Sequence, residues 1–422
     1  MTVSTTRMRR VLAAGAVLAL GASVLAGCSA DGKETVRFAF SKREAFEIVR
    51  EMVSTYNAQS DDVRVILDTS GVDTTSAGFV RGNPPDISLA NYNMETSRFV
   101  ERCALTDLSD TEAAQTIRED LSVLMDQYGS CEDRTSALPY SIMASSVVYN
   151  MDIFEEVGVE VPTTWDELIE VCETLADADV TPFYGTFKDP WTIGQGWYDY
   201  AVGGSIDVVG FYEALDEEGT EVGPDSEVSF EKDHLEPVER MMELASTYTN
   251  PDAGSIGYND GNTAFVNGDA AMYLQGPWAI SELLRAEDPP RIGTFPLPMT
   301  DDPDDLKVRV NVDLAAWIPV DSRHQEAARD FLEFLFLPEN IEAYNESQLG
   351  FTPTEDAPPP SQPEVEGMVP FYEDGRYYQG PSVLVPQTIP FFNYTQAIAL
   401  GDDPAQVLRT IDADWARLAF RQ

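Results

Sequence analysis

The stretch from Gly268 to Trp278 has the residue types of a binding surface. It reads GDAAMYLQGPW, a turn glycine and a short apolar run that ends in Gly276-Pro277-Trp278. Glycine allows close approach of other groups, and proline fixes the next backbone angle. The pattern predicts a strand that ends by turning the Trp278 indole toward the wall of a pocket. The alternative is a core tryptophan beside a tight turn, because large aromatic side chains are mostly buried.

The elements that would position such a pocket begin in α/β order. An alternating strand, Thr35 to Phe40, is followed by an S-x-x-E capping box at Ser41 to Glu44 and an amphipathic helix. Further strands are predicted at Val63 to Leu67 and Asp86 to Ala90. This order predicts a doubly wound α/β lobe. Ligands of such sheets bind beyond the carboxyl ends of the strands, where Asn91 follows the third strand.

A second α/β lobe is predicted to start near residue 140. Val147 to Asn150 is apolar, and a T-x-x-E capping box at Thr164 to Glu167 opens a helix with an apolar face. Ala327 to Leu337 and the end of the chain from Asp403 also have helical spacing. The proline-rich segment Pro353 to Pro363 is predicted to be a surface connection.

The N-terminus has the pattern of an export signal. Arg7, Arg9 and Arg10 precede the uncharged apolar run Val11 to Val24, which is short for a membrane span but typical of a signal peptide. The segment ends Leu25-Ala26-Gly27-Cys28, which resembles a bacterial lipobox. The resemblance implies cleavage after residue 27, lipidation of Cys28, a short tether over residues 28–33 and anchoring to the outer face of the cell membrane. The alternative is an ordinary signal peptide with an incidental cysteine.

Composition limits the partners. Of the 422 residues, 27 are Lys or Arg and 73 are Asp or Glu, which gives a formal charge of −46. This charge argues against nucleic acid as a partner. The length exceeds what one hydrophobic core usually serves and predicts two domains.

Three cysteines remain after Cys28. An exported protein lies where disulfides persist. Cys103 and Cys131 flank one predicted helical hairpin and are the expected pair, whereas Cys172 falls on an apolar helix face and is expected to be buried and free. No Cys/His spacing predicts a metal site, and no cofactor is expected. The acidic turn Asp301 to Asp305 lacks EF-hand spacing.

Four motifs resemble the solute-binding lipoproteins of carbohydrate ABC importers, the maltose-binding-protein-like family. They are Pro85-Asp86-Ile87, the run Tyr149 to Leu168 (YNMDIFEEVGVEVPTTWDEL), the run Phe265 to Trp278, and Ile292 to Pro298 together with the helix near Ala327. They span nearly the whole chain after the signal in the family's order. The resemblance implies two doubly wound α/β lobes joined by a hinge, with the ligand in the cleft between them.

By this resemblance, lobe one comprises residues 34–139 and 311–355, and lobe two comprises residues 140–310 and 356–422. It implies that a monomer binds a mono-, di- or oligosaccharide and delivers it to the permease subunits of an ABC transporter. Aromatic rings stack on the apolar faces of sugars, and carboxylates and amides bind the hydroxyl groups.

Ten residues are therefore expected to contact the ligand. The aromatic candidates are Trp278, Trp191, Trp197, Phe392 and Tyr140, and the polar candidates are Asn91, Asn93, Gln275, Asp313 and Glu44. Each has a structural alternative. Trp191 could pack within its loop, and Glu44 could serve only as a helix cap. Trp165, Trp317 and Trp415 are expected to be core residues.

Two other functions remain open. A pair of carboxylates could hydrolyse a glycosidic bond, but His234 and His324 have no nucleophile motif beside them, and no G-x-S-x-G, HExxH or P-loop occurs. A binding protein for a non-sugar solute, such as a polyamine or peptide, would share the fold. The acidic composition suits a polyamine, whereas the candidate stacking aromatics favour a sugar.

Overall fold

The computed structural model describes residues 32–71, 77–126, 129–131 and 134–419. The predicted signal peptide of residues 1–27, Cys28 and most of the 28–33 tether lie outside the described residues. The strands are β1 Glu34–Ala39, β2 Val63–Asp68, β3 Ile87–Asn91, β4 Leu138–Asn150, β5 Met272–Gln275, β6 Ile292–Phe295, β7 Val308–Trp317 and β8 Tyr377–Tyr378. Within the described part of the chain, no helix has the length and apolar character that a membrane crossing requires.

Helices pack against these strands. Those in the first part of the chain are α1 Phe46–Gln59, α2 Met94–Glu101, α3 Glu112–Thr116, α4 Ser122–Asp126, α5 Met151–Val157, α6 Trp165–Asp177, α7 Pro190–Thr192 and, after a π-helical segment at Ile193–Tyr198, α8 Asp199–Ser205. The later helices are α9 Val208–Glu218, α10 Phe230–Thr247, α11 Tyr258–Val266, α12 Pro277–Leu283, α13 Gln325–Leu335, α14 Pro338–Gln348, α15 Val369–Glu373, α16 Phe391–Ala399 and α17 Pro404–Ala419.

Lobe one is built on the first three strands and one end of β7. The order is β2-β1-β3-β7, with β1 parallel to β2 and β3, and β3 antiparallel to β7. The helix α1 crosses from β1 to β2, as parallel pairing requires. The three strands predicted from the sequence are confirmed within one or two residues.

Two long antiparallel strands, β4 and β7, connect the lobes. Residues Leu138 to Ser145 of β4 pair with β7, and Ser146 to Asn150 pair with β5 and β6. The apolar run that was predicted to open lobe two is therefore the second half of β4. The predicted lobe crossings at 139/140 and 310/311 fall inside β4 and β7.

The third predicted crossing falls in the proline-rich connection. The Glu355 amide donates to the Thr116 carbonyl at 3.0 Å, on the lobe one side. A few residues later, the Glu364 carbonyl accepts from the Thr294 hydroxyl at 2.9 Å, beside β6. The prolines between them prevent a regular helix, and no helix or strand occurs from 355 to 363.

The core follows the predicted apolar faces. Trp165, Trp317 and Trp415 are buried, as expected. The predicted N-cap of α6 is confirmed, since the Thr164 hydroxyl accepts from the Glu167 amide at 3.3 Å, whereas the Glu167 carboxylate accepts from the Thr163 amide at 2.7 Å. The predicted box at Ser41 is wrong. Arg43–Ala45 forms a 3-10 turn without a side-chain cap, and α1 starts at Phe46.

Cys103 and Cys131 are joined by a disulfide with a Cα–Cα distance of 5.4 Å. Cys172 is a buried free thiol on α6. The disulfide lies in lobe one. Burial raises the pKa of the Cys172 thiol. Neither the disulfide nor the Cys172 thiol lies at the cleft.

Candidate binding cleft

The lobe one wall of the cleft carries a group of linked polar side chains. Asp313 lies on β7, and one of its carboxylate oxygens accepts a hydrogen bond from the Lys42 ammonium. The Asn91 amide, at the end of β3, donates to the other oxygen at 3.3 Å and to the Asp313 carbonyl at 3.0 Å. The Lys42 and Asp313 side chains are only 8% and 10% exposed. The strand ends thus hold one carboxylate in a fixed orientation.

Glu44 lies beside this group, where the two lobes meet. Its carboxylate oxygen Oε1 is 3.8 Å from the Lys42 nitrogen. Its backbone carbonyl accepts a hydrogen bond from Arg285, just past α12 of lobe two, at 3.3 Å. Glu44 itself lies within the 3-10 turn Arg43–Ala45, which has no side-chain cap.

Trp278 occupies the first turn of α12 rather than the end of a free bend. Gly276 is the N-cap of α12 and Pro277 its first residue. A Cβ at Gly276 would lie 2.3 Å from the Trp278 ring and 2.8 Å from Ser145. The glycine is therefore required for the close approach of the indole, although its φ of −134° is ordinary.

Gln275 orients this tryptophan. Its side-chain carbonyl accepts from the Trp278 indole nitrogen at 3.0 Å. Its backbone carbonyl accepts from the Tyr200 hydroxyl at 2.8 Å. Gln275 is only 1% exposed, so its hydrogen bond holds the indole from the buried side.

Trp191 packs against Tyr258, an aromatic residue that sequence reasoning missed. Their ring centroids are 5.0 Å apart at an interplanar angle of 59°. Burial raises the pKa of Tyr258, and the carboxylates of Glu282 and Glu44 raise it further. Asp189, before α7, accepts from the Tyr258 amide at 2.7 Å. One region therefore contains the Trp191 and Tyr258 rings and the Glu282 and Glu44 carboxylates.

Phe392 and Asn93 line one cavity of ≈ 310 Å³, a size common for ligand sites. Phe392, at the start of α16, packs on Gly194, where a Cβ would lie 2.2 Å from the ring. The other polar lining side chains include Gln195, Gln387 and Asn393. All the described residues that line this cavity are uncharged.

A smaller hollow adjoins the carboxyl ends of β1, β2 and β3. Asn91, Asn93 and Ser41 are among its lining residues, together with Asp68. Asn93 belongs to both hollows. Asn93 therefore borders both hollows, and Asn91 connects the smaller hollow to the Asp313 group through its hydrogen bonds.

Two of the predicted ligand residues lie in the core instead of the cleft. Tyr140 is fully buried, donates to the Leu335 carbonyl at 3.2 Å and packs on Phe336 and Tyr344. Trp197 is 2% exposed. It lies between Phe183 and Phe187, with centroids 5.6 and 5.3 Å away. We therefore correct their assignment to core residues.

The described residues contain no group of three or more His, Cys, Asp or Glu side chains arranged to hold a metal ion. The two histidines do not face the cleft group. His234 is fully buried, and desolvation lowers its pKa to about 3. His324 is at the lobe one surface, where it contacts Glu34 at 2.5 Å.

Curated relatives with transport-related names are similar over most of the chain. The multiple sugar-binding protein of Streptococcus mutans is 23% identical over 343 residues, which cover 78% of this chain and 79% of that protein. An uncharacterised ABC transporter extracellular-binding protein of Pyrococcus horikoshii is 25% identical over 282 residues, covering 66% of this chain and 60% of that protein.

Solved structures share the fold. The protein RafE in complex with raffinose matches with a TM-score of 0.78 at 20% identity, covering 91% of this chain and 99% of that one. A sugar transporter protein from Bacillus licheniformis in complex with stachyose matches with a TM-score of 0.68 at 16% identity, covering 91% and 100%. These matches confirm the predicted two-lobe α/β fold.

The profile of one family covers most of the chain. It is described as bacterial extracellular solute-binding protein and matches residues 41–342. The match begins just after β1, includes the cleft residues from Lys42 to Asp313 and ends in α14. The chain therefore belongs to the bacterial extracellular solute-binding protein family.

Proposed function

We propose that this protein captures an uncharged mono-, di- or oligosaccharide in the cleft between its lobes and delivers it to the permease of an ABC transporter. The observation that carries the proposal is that the two walls of the cleft differ in chemistry. Lobe one offers fixed carboxylate and amide groups, and lobe two offers aromatic rings. Sugars present hydroxyl groups at their edge and apolar C–H faces, which these two walls complement.

On the lobe two side, Trp278 and Trp191 are the principal stacking residues. Tyr258 contacts Trp191, and Phe392 extends the aromatic surface toward the uncharged cavity. Gln275 acts indirectly, because its side-chain oxygen is already occupied by the Trp278 indole.

On the lobe one side, Asp313 is the principal hydroxyl acceptor. Asn91 and Lys42 hold its carboxylate, and Glu44 lies within reach of the same space. Asn93, with Gln195 from the opposite lobe, supplies amides to the neighbouring cavity. Amides both donate and accept hydrogen bonds, as a sugar hydroxyl does.

The named relatives support the same substrate class. One is called a multiple sugar-binding protein, and two similar structures hold raffinose and stachyose. The names of the two curated relatives describe binding proteins, which favours binding over glycoside hydrolysis for this chain. A polyamine is disfavoured because Lys42 already pairs with the cleft carboxylates.

The site of action that we propose is the outer face of the cell membrane. The signal-like segment and Cys28 support export followed by lipid anchoring. A monomer tethered in this way would present the closed cleft to the permease subunits. Mass spectrometry of the protein purified from membranes tests this directly, since a diacylglycerol-modified N-terminal Cys28 is the expected product.

A thermal-shift screen of the chain without residues 1–28 tests sugar capture. A neutral saccharide present at 100 times its dissociation constant should stabilise the fold by about 2.7 kcal/mol. Trp278→Ala should abolish the shift, whereas Leu400→Ala, which truncates an exposed lobe two side chain, should not. No shift with any neutral saccharide, and shifts with peptides or polyamines instead, would overturn the sugar assignment.

A further inference from the structure

The Lys42 side chain occupies a position between two carboxylates at the cleft. Its ammonium donates to Asp313, and its nitrogen is 3.8 Å from the Glu44 carboxylate. The Lys42 side chain is 8% exposed, so its charge is largely removed from water. A cation in such a place needs anionic partners, and here it has two.

The Asp313 carboxylate and the Glu44 backbone are each held by a contact that does not depend on Lys42. Asn91 donates to the Asp313 carboxylate and carbonyl, and Arg285 holds the Glu44 backbone. Both carboxylates also affect the pKa of the Tyr344 phenol. Burial raises the pKa of Tyr344, and the charges of Asp313 and Glu44 raise it further. The Lys42 nitrogen contacts both carboxylates, so Asp313 and Glu44 border one small space.

Other cations do not replace Lys42 there. Among the described residues, the ion pairs of Glu44 and Asp313 involve Lys42 alone. The guanidinium of Arg285 donates to the Glu44 carbonyl and forms no such pair with its carboxylate. Without Lys42, two partly buried carboxylates would face each other, an arrangement that attracts a cation.

We propose that Lys42 is a resident cation that fills an ammonium site and thereby makes the cleft selective for uncharged solutes. A solute ammonium would need the position that the Lys42 nitrogen already holds. With Lys42 in place, Asp313 remains able to accept hydroxyl groups through its other lone pairs. Lys42 is thus a specificity-determining residue. This inference rests on the proposed function in that it takes this cleft as the solute site.

The variant Lys42→Ala should unmask the ammonium site. Propylammonium reproduces the side-chain atoms that the substitution removes. In calorimetric titrations, propylammonium chloride should bind the variant at least about tenfold more tightly than the wild type. This binding should weaken with added salt, as expected for ionic contacts. Equal affinity of both proteins for propylammonium would overturn the proposal.

Two controls separate site filling from non-specific charge effects. Propan-1-ol has the same propyl chain without the charge and should not distinguish the variant from the wild type. In the double variant Lys42→Ala with Asp313→Asn, the gained affinity for propylammonium should be lost. A gain that persists in the double variant, or that propan-1-ol reproduces, would contradict the assignment.

A folding problem in the variant would itself be informative. If Lys42→Ala unfolds more easily, propylammonium should raise its unfolding temperature, and tetramethylammonium at equal concentration should not. The absence of this difference would also overturn the proposal. None of these measurements uses a saccharide. Failure of the wild type to bind sugars would therefore refute the proposed function, while the propylammonium result judges the role of Lys42 alone.

Discussion

Two ion pairs on the crossing strand β7 have different surroundings. Arg309 pairs with Asp199 of lobe two at 2.8 Å, and Asp313, four positions further along β7, pairs with Lys42 of lobe one. The Arg309 and Asp199 side chains are 2% and 0% exposed. The second pair borders the cleft. The register of β7 against β4 is irregular beside Asp313, between the pairs Ser141–Leu314 and Ile142–Val312.

The lobe two pair has its hydrogen bonds satisfied within the protein. The Ser382 amide and hydroxyl donate to Asp199 at 2.7 and 2.8 Å, and Arg309 also donates to Asn311 at 2.6 Å. Burial raises the pKa of Asp199, while Arg309 and Ser382 oppose that rise. This pair anchors the strand to lobe two. The Asp313 pair has fewer partners and retains capacity for a solute.

The largest expected effect comes from breaking the anchoring pair. Asp199→Ala leaves the buried Arg309 without its partner, which typically costs about 3–5 kcal/mol of unfolding free energy. Urea unfolding followed by tryptophan fluorescence measures the change. The matched control Asp304→Ala removes an exposed carboxylate and should change stability by less than about 0.5 kcal/mol. A loss of stability no larger than this control would contradict the anchoring role.

The same kind of change at the cleft pair should affect binding instead. Asp313→Asn keeps the shape but removes the charged acceptor, so saccharide affinity should fall by about 2 kcal/mol, or roughly thirtyfold. Calorimetric titration measures this loss. Unfolding free energy should change less than in Asp199→Ala. If Asp313→Asn reduced stability as much and left affinity intact, the two ion pairs would not differ as described.

A smaller effect concerns a buried titratable group without a charged partner. His234 contacts the Tyr198 hydroxyl, and burial lowers the histidine pKa from 6.5 to about 3. Between these values the unfolded chain binds more protons, so the stability due to neutral His234 is lost as pH falls below 6.5. The slope is up to about 1.4 kcal/mol per pH unit.

The variant His234→Gln isolates this contribution. Asp412, in the same helical region, gives a pH dependence of stability of the opposite sign, since burial raises its pKa to about 6. Comparing the variant with the wild type removes the Asp412 effect from the difference. The stability advantage of the wild type should shrink as the pH is lowered from 6.5 to 5, measured by urea midpoints. A constant difference over this range would show that burial does not control His234.

The burial of the aromatic candidates was predicted only in part from the sequence. The Gly-Pro bend before Trp278 and the loop position of Trp191 pointed to exposed rings, because local chain geometry decides such positions. Trp197 and Tyr140 were placed wrongly, since only the packing of distant aromatic residues shows that they are enclosed. Tyr258 carried no comparable local signal beyond its place at a helix start.

Lys42 was missed for a different reason. The S-x-x-E pattern at Ser41 to Glu44 fits a helix cap, and local reasoning had no cause to look further. The partner that gives Lys42 its role, Asp313, is 271 residues away. The α/β elements, in contrast, could be predicted from strand and helix periodicity, which is a property of the chain itself, and the two-lobe arrangement followed from the resemblance to a known family.

Calorimetric titration with neutral mono-, di- and oligosaccharides is the most direct test of sugar capture in the cleft. The chain without residues 1–28 and its Trp278→Ala variant would be compared at low and high salt. We expect saturable binding of one saccharide per chain, little dependence on salt because the ligand is uncharged, and loss of binding in the variant. Absence of binding by every neutral saccharide, with salt-sensitive binding of a charged solute, would contradict it.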